Sequence, residues 1–269
     1  MAAGGLRRAV PPPIRRRAGR VLGSSKVLLA CWRRGRPLSP AGMPDGILAR
    51  NEYGAYCVPR ASRHRPAARA ILEARVWEPD TLELLRSADP DGDVVHAGTF
   101  FGDFLPALAR SRGKGAIVWA FEPNGESYRC ARITAMLNGL GNVVLTHAAL
   151  DTEGGSALLA TTNRAGVPSG GGSHIVEDPS QIDEGGSHEE VDLLAVDDIV
   201  GSDRRVAVIQ LDVEGHERQA LEGAMRTIDR CRPLIVLESL PEDFVAERLA
   251  PLGYRASGSP DANVVLSCT

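Results

Sequence analysis

Aromatic residues are scarce, with Phe, Trp and Tyr making up only 4% of the 269 residues. A core in a chain of this length must therefore be filled mostly by Leu, Val, Ile and Ala. Cysteine is scarce as well. The five present (Cys31, Cys57, Cys130, Cys231, Cys268) are scattered and form no CxxC pair, which points away from a thiolate zinc site and from a disulfide framework. Such usage agrees with a reducing, cytoplasmic setting. No apolar run approaches the roughly 20 residues that cross a bilayer. The nearest, 21–32, is interrupted by Gly23, Ser24, Ser25 and Lys26, and no small-residue cleavage site of a secretory signal follows it. Internal repeats are absent, and so is the GxGxxG fingerprint of a dinucleotide site.

Acid is missing from residues 1–36, which hold nine Arg and one Lys. The rest of the chain carries 21 basic against 34 acidic residues, so a net charge of −3 hides a basic arm on an acidic body. An acidic body argues against a nucleic-acid-binding surface on the main domain. The Pro- and Arg-rich stretch 1–45 reads as a solvated, flexible arm.

What remains has the rhythm of an α/β protein. Residues 47–59 read as a small hairpin around Gly54, and 65–76 and 81–87 as helical pieces, so that 46–92 form a small amino-terminal cap. From Asp93 to the end, short apolar runs alternate with helical spacings. Strands are predicted at 93–97, 116–121, 143–149, 206–212 and 233–238, and helices at 101–112, 126–138, 217–230 and 242–249. Pro106 is tolerable only in a first helical turn. A Gly-rich insertion at about 161–190, with strand candidates at 156–160, 174–177 and 190–195, breaks the rhythm. Residues 254–257 and 264–268 close the chain as an antiparallel pair. The pattern describes a Rossmann-like, doubly wound, mostly parallel sheet ending in an antiparallel hairpin.

Ligands of such sheets bind beyond the carboxyl ends of the strands, where strand order reverses. Behind the first strand stand His96, Gly98, Thr99, Gly102 and Asp103; the two glycines allow a tight turn and a close helix approach, and the helix start offers free N–H groups. Behind the second stands Glu122, about 20 residues on, where a carboxylate accepts hydrogen bonds from vicinal ribose hydroxyls. The fourth major strand runs into Asp212, Glu214 and His216, three candidate bases within one turn. Asp212 and Glu238, on neighbouring strand ends, are also oxygen ligands suited to a divalent cation. A plainer reading of Glu214 and Glu217 is that they satisfy a helix amino terminus.

The blocks Val118-Trp119-Ala120-Phe121-Glu122-Pro123-Asn124, Asn142-Val143, Ala148-Ala149-Leu150, Val196-Asp197-Asp198-Ile199 and Ile209-Gln210-Leu211-Asp212-Val213-Glu214-Gly215-His216-Glu217, with Arg232-Pro233 leading to Glu238, appear in this order. In this the sequence resembles the FkbM family of methyltransferases over residues 93–268. The resemblance implies a class I fold, S-adenosylmethionine as methyl donor and a hydroxylated small molecule, sugar or natural product as acceptor. It places Gly98, Thr99 and Gly102 at the donor's methionine end, Glu122 at its ribose, Ala148 and Ala149 near adenine, and Asp212 and Glu214 facing the methyl. The loop departs from the pattern: His96 stands where the family carries a carboxylate, with Asp103 as the nearest substitute, and Thr99-Phe100-Phe101 stands where Ala or Gly and Asn are more usual. The alternative reading is therefore a donor-binding protein of the same fold without catalysis.

Overall fold

A computed structural model describes residues 44–176 and 185–268. The basic arm, Cys31 and Glu177 lie outside the described residues, apart from the arm's last two positions. Seven strands form the main sheet: β3 (Asp93–Ala97), β4 (Val118–Phe121), β5 (Val143–Thr146), β10 (Val206–Leu211), β11 (Leu234–Leu237), β12 (Tyr254–Gly258) and β13 (Val264–Cys268). Their order is β12-β13-β11-β10-β3-β4-β5. Neighbours from β11 to β5 run parallel, and β13 lies antiparallel to both β11 and β12. Strand order thus reverses between β3 and β10. All five residues of β3 are buried, as expected of a strand covered on both faces.

One core face packs β3, β10 and β11 residues such as Val95, Ile209 and Ile235 against Leu221 and Ile228, which lie on α6 (Glu217–Glu222) and α7 (Met225–Cys231). The other packs Val94, Val118, Val208 and Val236 against Leu105 and Leu108 of α3 (Leu105–Ser111). Asp93 fastens the sheet's lower edge. Its buried carboxylate accepts the Ile117 N–H (2.8 Å), the Trp119 indole N–H (2.8 Å) and Arg204 Nε–H (2.7 Å).

Ahead of this sheet, the hairpin β1 (Gly46–Asn51) and β2 (Gly54–Pro59) pairs as its alternation predicts. It is hydrogen-bonded to α4 (Gly125–Asn138): the Cys57 N–H reaches Thr134 Oγ1 at 3.1 Å, and Asn138 Nδ2 donates to the Ala55 carbonyl at 2.6 Å. α1 (Pro66–Leu72) follows, then α2 (Pro79–Ser87), whose Thr81 N–H donates to Asp261 Oδ2 at 2.8 Å. These ties hold the hairpin along α4 and α2 against the turn between β12 and β13.

Four expectations differ from the structure in ways with clear causes. The helix expected from 101 starts only at Leu105, because Phe100 (φ +51°) and Gly102 (φ +83°) take left-handed conformations that no helix accommodates; Pro106 then falls in the first turn. The strand expected over 143–149 divides. β5 stays in the main sheet, while β6 (Ala149–Leu150) joins β7 (Gly155–Ala160), β8 (His174–Ile175) and β9 (His188–Leu194) in a second sheet of order β6-β9-β7-β8. The helix expected over 217–230 breaks at Gly223, where a Cβ would lie 2.0 Å from the Asp151 carbonyl oxygen. Asp197 restarts it by accepting the N–H groups of Arg226 (2.7 Å) and Thr227 (2.8 Å). The helix expected over 65–76 stops at Leu72, with Ala74 left-handed at φ +58°. Among the described residues no helix is long and apolar enough to cross a membrane.

Candidate functional site

The loop after β3 is built around glycine. Gly98 has φ +78°, and a Cβ there would lie 1.7 Å from the Asp212 carbonyl oxygen, so only glycine lets the ends of β3 and β10 approach this closely. The Gly98 and Thr99 N–H groups donate to the Phe121 carbonyl at 3.1 and 3.2 Å. The fully buried Thr99 turns its hydroxyl back to the His96 carbonyl, so this side chain holds the loop. Glu122 pins the same loop: its Oε2 accepts the Phe100 N–H at 2.6 Å and its Oε1 the Asn124 N–H at 2.9 Å. Burial pushes the Glu122 carboxyl up to about 8, against the pull of those two backbone donors. In its ionised form each oxygen keeps a second lone pair for a ligand.

Two cavities open beside the loop and share Gly98, Gly171 and Asp212. The narrower is an apolar cleft of about 30 Å³, walled by Phe121, Ala148, Ala149, Leu150 and Leu159 with Glu122 at its edge. The larger, about 240 Å³, is polar, and its walls include Glu78, Asp103, Asp212, Glu214 and Glu238, with Arg65 as the one guanidinium among the described residues. Burial and mutual repulsion raise Glu78, Asp103, Asp212 and Glu214 above the ordinary carboxylate range. Burial, then Glu78, pushes Asp103 up to about 7. Burial, followed by the Glu238 and Glu214 charges, raises Asp212 well above the carboxylate range. Arg65 lies 3.7 Å from Glu214, which has left-handed backbone at φ +54°. One oxygen each from Asp212, Glu214 and Glu238 lie within 4.8 Å of one another, a spacing that a hard cation accepts.

The predicted residues therefore divide. Gly98, Asp212 and Glu122 meet at the strand-order reversal, with Ala148 and Ala149 in the apolar cleft and His96 and Asp103 in the polar cavity. His216 lines the apolar cleft, its Nε2 2.9 Å from Asp151 Oδ2, and so stands on the far side of Asp212 from Glu214 and Glu238. Arg65, Trp77 and Glu78 also wall the polar cavity and escaped the sequence reading. They lie outside any strand–loop motif, and the one local signal is weak: Glu78 precedes Pro79 at a helix start, with left-handed backbone at φ +44°.

A doubly wound sheet with a glycine turn at its switch point, a buried carboxylate behind the second strand and an acidic strand end behind the fourth has the arrangement of a class I methyltransferase. The model of the methyltransferase FkbM domain matches residues 94–255, more than half of the chain. The chain belongs to this family of S-adenosylmethionine-dependent methyltransferases. Solved structures with some likeness include methyltransferase FkbM from Methylobacillus flagellatus (18% identity, TM-score 0.43, covering 66% of this chain and 43% of that one). Another is the Pyrococcus abyssi tRNA (uracil-54, C5)-methyltransferase in complex with S-adenosyl-L-homocysteine (13%, 0.43, 82% and 43%). A third is M. jannaschii TYW2 in complex with AdoMet (12%, 0.43, 84% and 85%). The chain spans less than half the length of the first two. No curated protein matches it.

The residues present fit the family's donor. The cleft's apolar walls match the faces of a flat base, for which the about 30 Å³ now open must widen, and Glu122 stands at its edge, where ionised oxygens offer lone pairs to a ribose.

Proposed function

We propose that the chain methylates a hydroxyl oxygen of a small molecule, sugar or natural product, with S-adenosylmethionine as donor. In this reading Ala148 and Ala149 border the adenine, Glu122 takes the ribose hydroxyls, and His96, Gly98, Thr99, Gly102 and Asp103 shape the pocket for the methionine end. The observation that carries it is the position of Asp212, at the end of β10 and on the wall shared by both cavities. When bound, the donor supplies a methyl group on a positively charged sulfur. The protein's tasks are then alignment, exclusion of water and removal of the acceptor proton.

Asp212 suits the last task. Burial, then the neighbouring Glu238, raises its proton affinity well above that of an ordinary carboxylate, which makes its ionised form a stronger base. Glu214, half-buried beside Arg65, faces the same cavity and would orient the acceptor hydroxyl. His216, hydrogen-bonded to Asp151, serves this reading by fixing the turn that carries Asp212. A cavity of about 240 Å³ suits a small acceptor or the tip of a larger one, and the acidic body disfavours a nucleic acid.

The test is transfer of labelled methyl from S-adenosylmethionine to a panel of polyhydroxylated small molecules and to RNA. Label on a hydroxyl oxygen, lost at least a hundredfold in Asp212→Asn with donor binding retained, supports the assignment. Label on RNA alone, or transfer undiminished in the variant, overturns it.

A further inference from the structure

His96 departs from the family pattern in the donor loop, and its surroundings are specific. The side chain is 3% exposed. Its ring stacks on Phe104, 5.8 Å between centroids and 8° from coplanar. Nδ1 is hydrogen-bonded to Gln210 Oε1, its register partner on β10. An amide oxygen only accepts, so Nδ1 carries the hydrogen and donates it, which leaves Nε2 as a bare lone pair. That Nε2 is buried, has no hydrogen-bond partner, and belongs to a residue that walls the polar cavity. Gly98, two residues on, walls the same cavity. An unpaired buried acceptor is costly to keep unless a ligand completes it.

Resting on the donor reading above, we infer that His96 Nε2 accepts a hydrogen bond from the ammonium group at the donor's amino-acid end, so that a neutral imidazole held by Gln210 takes over the place of a carboxylate. The cavity explains why a neutral acceptor works better here. Glu78, Asp103, Asp212, Glu214 and Glu238 already crowd it. Asp103, pushed up to about 7, shows how readily a buried carboxyl keeps its proton here. A further carboxyl at position 96 would do the same and lose an acceptor site. Burial instead holds the imidazole down to about 4, so its lone pair stays available at neutral pH. Ammonium N–H groups and an imidazole lone pair are complementary without proton transfer. Arg65, which walls the cavity, supplies the matching charge for the donor's carboxylate.

The experiment compares two ligands that differ in the amino-acid end. S-adenosylhomocysteine carries the ammonium; 5′-methylthioadenosine keeps base, ribose and sulfur but lacks it. Each is titrated calorimetrically into wild type, His96→Phe and His96→Gln. The inference predicts that His96→Phe, which keeps the stack on Phe104, weakens S-adenosylhomocysteine about tenfold or more and leaves methylthioadenosine within about twofold. His96→Gln, which returns an acceptor oxygen, should recover much of the loss. Equal weakening of both ligands, or none of either, overturns the inference while leaving the donor reading intact. Binding of neither ligand to folded wild type defeats the donor reading itself. A second readout does not depend on methylthioadenosine affinity. In ¹⁵N-labelled protein the His96 Nε2 resonance should be that of an unprotonated nitrogen and should shift when S-adenosylhomocysteine is added. A protonated Nε2, or no shift on saturation, overturns the inference.

Discussion

Replacing Asp103 by Asn should stabilise the protein, and increasingly so as pH rises. Asp103 is 9% exposed and walls the polar cavity; burial and Glu78 push its carboxyl from the ordinary 3.8 to about 7. A raised acid is neutral in the folded protein while already ionised in the unfolded chain. Its contribution is fully present below about pH 4 and is lost as pH climbs through about 7. At 1.36 kcal/mol per tenfold, the interval corresponds to about 4 kcal/mol above pH 8, an upper limit because the unfolded chain is not fully solvated. Asn keeps shape and polarity but cannot ionise, so it escapes this penalty. Urea unfolding of wild type and Asp103→Asn between about pH 4 and pH 8.5 isolates the effect, since Glu122 and Asp212 titrate in both. The gap should be near its pH-independent offset at pH 4 and should widen in favour of the variant by about 2–4 kcal/mol at pH 8.5. A flat difference, or one that widens in favour of wild type, would refute a raised Asp103 and the crowded-carboxyl account of the cavity.

Gly98→Ala sets a Cβ 1.7 Å from the Asp212 carbonyl oxygen at φ +78°. The left-handed backbone costs about 1–2 kcal/mol and the forced shift of β10 about 1–3 more, so the melting temperature should fall by roughly 5–15 °C with donor affinity lost; an unchanged melting curve contradicts the packing described. Asp93→Ala leaves Arg204 and the donors of Ile117 and Trp119 without a partner and should cost about 3–5 kcal/mol, read by urea unfolding and by a changed Trp119 environment in fluorescence; a cost below about 1 kcal/mol would show that the Asp93 network is dispensable.

The parallel strands were the most legible part of the fold. Residues 93–97 and 206–211 are short apolar runs ending in turn residues, which is what a strand buried on both faces leaves in a sequence. The loop between β3 and α3 was less legible. Phe100 takes φ +51°, and a phenylalanine gives no local sign of this, because Glu122 imposes it from another strand by accepting the Phe100 N–H. The second sheet was hidden too: its strand candidates could be seen, but β6 and β9 pair across 37 intervening residues, which themselves hold β7 and β8. In the site, glycines and strand-end acids were readable because topology alone puts them at the switch point. Arg65, Trp77 and Glu78 were not, since only the packing of α1 and α2 brings them there. The departure at His96 was plain in the sequence, whereas its partner Gln210 emerges only from the β3–β10 register.

The most direct test of the central claim is calorimetric titration of the purified protein with S-adenosylhomocysteine, beside a Glu122→Ala variant. Saturable one-to-one binding is predicted, weakened about tenfold or more in the variant, where both the ribose contact and the loop pinned at Phe100 and Asn124 are lost. Absence of binding to folded wild-type protein would contradict the account and leave a methyltransferase fold that no longer takes its donor.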